Sequence, residues 1–140
     1  MKTTLSAIPH ISIIVVIFAF VVLHVLGMIS LYANISWYDA LLHGLGGAWI
    51  AHTTWLLSRQ PGTIKFRGAL FILGMVALVG VSWEFLEFIY DKIAMSRSWE
   101  LPLLQQSLSD TLSDLLMDIL GGIATTIILA SVSKNKGGMN

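Results

Sequence analysis

An all-α integral membrane bundle of four transmembrane helices, with both termini cytoplasmic, is the fold class the sequence predicts, and three observations predict it. The 140-residue chain is 56% hydrophobic and only 11% charged, with a mean hydropathy of +0.80, which lies outside the range of soluble globular domains. Four apolar stretches are each long enough, at ~1.5 Å rise per residue, to cross a ~30 Å hydrocarbon core. Basic residues gather on the side that four crossings give to both termini. The length fits a single domain, residues 1–140.

The first helix is expected over about residues 10–32, "HISIIVVIFAFVVLHVLGMISLY", with Pro9 where a first-turn proline is tolerated. Its apolar run exceeds the core of a cleaved signal peptide and no A-x-A site follows, so it reads as a retained span. The second, about 37–57, is less apolar and carries small residues at Gly44, Gly47, Ala48 and Ala51. The pairs Gly44/Ala48 and Gly47/Ala51 have the spacing that lets helix backbones approach closely in lipid. Pro61-Gly62, among three basic residues, marks a turn. The third helix is expected over about 68–90 and the fourth over about 108–132, joined by a polar connection that contains Pro102.

Counting bases near the ends of the spans fixes the orientation. The amino terminus, the second loop and the tail hold Lys2, Arg59, Lys65, Arg67, Lys134 and Lys136, against Lys92 and Arg97 on the other side. By the positive-inside rule the first group is cytoplasmic. A multi-pass protein of a bacterial or archaeal cytoplasmic membrane is the expected setting, with the bilayer as its first partner. Zero net charge leaves no basic footprint for nucleic acid.

All the acids fall toward the opposite, outer end. Asp39 opens the second helix; Glu84, Glu87 and Asp91 lie in the last turns of the third; Asp110, Asp114 and Asp118 descend from the start of the fourth. Each set shares a helix face: Asp39 and His43 at i, i+4; Glu84, Glu87 and Asp91 at i, i+3, i+7; the three aspartates at steps of four. At ~1.5 Å per residue, His43, Glu84, Glu87, Asp114 and Asp118 occupy a common layer roughly 10 Å thick. A carboxylate in hydrocarbon costs roughly 3 kcal/mol or more unless it is neutralised, so these faces point into the bundle.

Three things can neutralise such a cluster: a bound cation, shared protons or a water-filled cavity. The chain has no cysteine, so a metal would take oxygen and imidazole ligands. The candidate metal ligands are Asp39, His43, Glu84, Glu87, Asp110, Asp114 and Asp118. Without the E-x-x-H pairs of di-iron bundles, the expected ion is divalent Mg, Mn, Zn or Ca. Glu87 is also a candidate general base, and Arg97 or Lys92 a clamp for a phosphate. Plainer readings stand beside these. Asp110 in "SLSD" also fits a helix cap, Asp91 beside Lys92 an interfacial ion pair, and His10, His24 and His52 interfacial or packing roles. Trp37 and Trp99 fit an aromatic belt.

The segments "WYDALLHGLGG", "WEFLEF" and "SDTLSDLLMDILGG" resemble the three motifs of the VanZ-like and YjdF-like small membrane proteins. The VanZ-like pattern falls on Asp39 and His43, Glu84, Arg97, and Asp114 with Asp118 and Gly121; Asp118 stands where that family usually has Asn, and Glu87 where it often has Gln. The YjdF-like pattern is similar to Glu84/Glu87 and Asp110/Asp114. The resemblance implies a small helical membrane bundle.

Two classes of function fit these residues. One is a metal-dependent hydrolase or transferase of the outer leaflet, acting on a lipid-linked or cell-envelope substrate. The other is a non-enzymatic cation- or proton-binding or transport protein, for which the inner half offers only a thin polar path of His52, Thr53, Thr54, Thr125, Thr126 and Ser131. A membrane scaffold or assembly factor is the plainest alternative. The glycine faces of the second and fourth helices are candidate surfaces for a homo-oligomer.

Overall fold

A computed structural model describes residues 8–58, 64–100, 102–105 and 107–137, and all the regular structure among them is helical. Four long helices follow one another: α1 (Ile8–Leu26), α2 (Tyr38–Leu57), α3 (Phe66–Arg97) and α4 (Leu108–Gly137). A π-helical segment, Gly27–Leu31, and a last turn, Tyr32–Asn34, prolong α1. The expected turn at Pro61-Gly62 lies outside the described residues, as do Lys2 and Arg59.

Among the described residues, three segments are long and apolar enough to cross a membrane: Ile13–Leu31, Phe66–Arg97 and Leu108–Ser133. Tyr38–Leu57 is not among them. Asp39, two histidines and three glycines dilute its apolar content, and it packs against each of the other three helices.

Close packing follows from the small residues. A Cβ on Gly47 would strike the backbone of Asp118, and one on Gly121 the carbonyl of Gly44. The faces read as possible contacts between protomers therefore join α2 to α4 within one chain. The helix α3 runs against both neighbours. His43 meets Glu84 while Ala51 packs with Ile72 and Val76; Asp118 meets Gly80 while Gly122 meets Val76.

The buried residues of α3 are Ile72, Val76, Gly80, Glu84, Glu87, Asp91 and Ala94. Their steps of three and four trace one helical face. The half of that stripe nearer the start of α3 is apolar and forms the core with Ala51; the other half is acidic. Because Asp91 and Ala94 continue the stripe, the helix persists to Arg97, beyond the expected end near residue 90. Ser98, left-handed at φ 52°, ends it. Its N–H donates to Met95 O at 3.3 Å, and the Trp99 N–H to Ala94 O at 3.0 Å, which is a Schellman closure.

Candidate carboxylate–imidazole metal site

His43 stands at the centre of the acidic end, only 6% exposed. Its Nε2 lies 4.0 Å from Asp39 Oδ1 and 3.9 Å from Glu84 Oε1. Its Nδ1 pairs with Asp118 Oδ2 at 3.3 Å. The two nitrogens thus have different surroundings, because Asp118 reaches the ring from α4 while Asp39 and Glu84 approach from α2 and α3. A carboxylate on one imidazole nitrogen fixes the ring and leaves the other aimed at a ligand position, an arrangement common behind metal-bound histidines.

Among the described residues, two sets of three bring ligand atoms within 4.8 Å of one another: Asp39, His43 and Asp114, and His43, Glu84 and Glu87. Opposite ligands of a hard divalent ion bonded at ~2.0–2.6 Å stand about 4–5 Å apart, so either set fits one ion. Glu84 supplies a second observation. Its side chain is 6% exposed, and while Gln105 Nε2 donates to its Oε2 at 3.0 Å, its Oε1 is buried with no hydrogen-bond partner among the described residues. That oxygen faces His43. A buried carboxylate oxygen without a hydrogen bond is costly, and a cation between it and the imidazole would satisfy it.

Neighbouring groups hold this arrangement. Trp83 Nε1 donates to Glu87 Oε1 at 2.8 Å. Gly80 leaves room for the Asp118 carboxylate, into which a Cβ at residue 80 would project. The buried Asp91 accepts the N–H groups of Leu104 and Gln105 at 2.8 and 2.9 Å, so the connection after α3 is tied down and Gln105 is carried over Glu84. Lys92, the expected ion-pair partner of Asp91, instead lies over the Phe88 ring at 5.2 Å. Replacing Asp91 by Ala removes both acceptors and releases residues 102–105; amide exchange at Leu104 and Gln105 is expected to accelerate at least tenfold, and unchanged exchange would refute the tether.

The expected residues do not all come together. Asp39, His43, Glu84, Glu87 and Asp114 come together as potential ligands, and Asp118 stands behind His43. Asp110 lies in the first turn of α4, where its N–H donates to Ser107 Oγ at 3.2 Å in the capping arrangement weighed from the sequence; it is in neither set of ligand atoms. Arg97 is exposed at the far end of α3, about 15 Å along the axis from Glu87 at ~1.5 Å per residue. Lys92, in contrast, lines with Glu84 a hollow of about 600 Å³ between α3, α4 and the tied connection. Sequence reading missed Gln105, Trp83 and Gly80. Only Trp83, one turn before Glu87, carried a local pattern that could have found it.

A comparison with known families matches residues 6–135 to the family described as predicted membrane protein DUF2238. No curated protein and no solved structure matches the chain.

Proposed function

The chain belongs to the DUF2238 family of predicted membrane proteins, and from that premise we propose that it binds a divalent metal ion within the bundle and uses it on a lipid-linked or envelope substrate. The observation that carries this reading is the buried Glu84 Oε1, which has no hydrogen bond among the described residues and faces His43 Nε2 at 3.9 Å. Four helices span the bilayer with both termini cytoplasmic, and the acidic end lies in the outer half. Asp39, His43, Glu84 and Asp114 hold the ion, and Asp118 orients His43. The ion's contribution is to acidify bound water and to stabilise charge on a phosphoryl or carbonyl oxygen. Glu87, fixed by Trp83, is the general base, and Lys92 at the rim of the hollow is the clamp in preference to Arg97. The motifs similar to VanZ-like and YjdF-like proteins supply most of these residues, which supports the same grouping.

An apolar core of Ala51, Ile72 and Val76, each 3% exposed or less, lies along the bundle from the cluster. It favours a closed site over a path through the membrane.

Glu84→Gln tests the proposal through a reversal of sign. Without metal, the variant is more stable than the parent, because crowded buried carboxylates repel one another. In the parent, a divalent ion at about 100 times its Kd adds about 2.7 kcal/mol, and most of that gain disappears in Glu84→Gln. Thermal unfolding with and without Mn²⁺ measures both effects. An equal Mn²⁺ shift in the two proteins would contradict the site, and a variant less stable without metal would favour a purely structural cluster.

A further inference from the structure

A second cavity, of about 240 Å³, opens from the cluster toward α1. Asp39, His43 and Asp118 line its polar end. Away from them the wall is apolar, with Ile17, Phe20 and Val21 of α1 facing Trp49 and Ile50 of α2 and Val79 of α3. The α1 side belongs to a segment able to cross a membrane, which puts the apolar end at the depth of lipid chains. That side is loosely shut. Phe20 leans on Trp49 with ring centroids 6.1 Å apart, and Tyr38 Oη donates to Leu23 O at 2.9 Å, while Ile17 and Val21 on the cavity wall remain about half exposed, at 47% and 51%.

The polar end also has hydrogen-bonding groups that the metal site does not use. The π-helical segment Gly27–Leu31 precedes Tyr32, whose hydroxyl meets His24 Nδ1 at 2.6 Å, and both residues line the cavity. Irregular π turns inside helices are frequent at functional sites. Here the irregularity sets a Tyr–His pair in the same cavity as the carboxylates.

We propose that this cavity holds the hydrocarbon chain of a single-chain amphiphile, admitted sideways between α1 and the α2–α3 face, with an oxyanion head group at the His43 end. The proposal rests on the metal-binding reading above, because a bound cation is the attractive partner that an anionic head group would need beside these carboxylates. Tyr32 and His24 then supply hydrogen bonds to the head group, and the apolar wall accepts a chain at no cost relative to the bilayer. The size of the cavity favours one chain over two.

The test uses the full chain in phosphatidylcholine nanodiscs loaded with Mn²⁺, with n-dodecyl phosphate as the probe and inorganic phosphate as its control. Bound Mn²⁺ broadens the phosphorus resonance of any phosphate held next to it. Ile17→Trp/Val21→Trp fills the apolar end from α1, on half-exposed positions, and Ile14→Trp places the same bulk on a residue that is 65% exposed and outside the cavity lining. Dodecyl phosphate broadening is expected to fall at least tenfold in the double variant and to stay at the parent level in Ile14→Trp, with bound Mn²⁺ and the inorganic phosphate response unchanged in both. Equal dodecyl phosphate broadening in the parent and the double variant overturns the proposal and leaves the metal site standing. Absence of bound Mn²⁺ in the parent, read before any probe is added, overturns the metal reading and this proposal with it. A double variant that loses Mn²⁺ is replaced by Val21→Trp alone, judged by the same tenfold criterion.

Discussion

Gly121→Val is expected to destabilise the bundle by about 3 kcal/mol or more, toward and beyond the upper end of ordinary overpacking. The reason is what the new side chain meets. Its Cβ would overlap the Gly44 carbonyl and crowd the Ala48 nitrogen, and a backbone, unlike a side chain, cannot rotate away. The helices α2 and α4 would have to separate, and with them His43 from Asp118, so metal binding should fall together with stability. Gly74→Val is the control, because nothing among the described residues lies within 4 Å of a Cβ at residue 74; valine is no poorer a helix former than glycine, so it should cost little or nothing. Thermal unfolding of the two variants measures the difference, and equal losses would refute the close α2–α4 contact.

Asp118→Ala is expected to weaken metal binding by 10- to 100-fold while leaving the number of ions bound at saturation unchanged. Asp118 touches the Nδ1 side of His43 and is in neither set of converging ligand atoms. Its loss frees the ring to rotate without removing a ligand, and loss of such outer partners typically costs 10- to 100-fold in affinity. A ligand role predicts a different result. If Asp118 binds the ion directly, full stoichiometry should not be reached even at metal concentrations far above roughly 100 times the parent's Kd, where a site weakened only 100-fold would fill. Mn²⁺ titration of the two proteins distinguishes these outcomes.

Most of the architecture was legible in the sequence because its cause is local. Apolar run length marked α1, α3 and α4 as able to cross a membrane, though not α2, and spacing of three and four residues placed Glu84, Glu87 and Asp91 on one face, as Asp114 and Asp118 were on another. The small residues of α2 announced a close neighbour, though not that the neighbour was α4 of the same chain. The roles of individual acids were less legible. Asp114 and Asp118 have the same spacing and similar surroundings in sequence, yet one joins the converging ligand atoms and the other stands behind the imidazole. That distinction depends on Gly80, on a different helix, which makes room for the Asp118 carboxylate. Asp91 was similarly ambiguous: beside Lys92 it resembled a surface ion pair, and only the return of Leu104 and Gln105 gives it buried partners. His24 looked isolated on α1 because its partner, Tyr32, lies beyond a π-helical segment that no periodicity marks.

Elemental metal content per protomer, measured on protein purified without chelators and incubated with divalent cations, tests the central claim most directly when His43→Ala is carried beside the parent. His43 belongs to both converging sets, so its removal breaks either one. The parent is expected to hold a stoichiometric divalent metal and His43→Ala to lose it. A parent free of metal under those conditions, or a variant that retains the parent's full content, would contradict the claim.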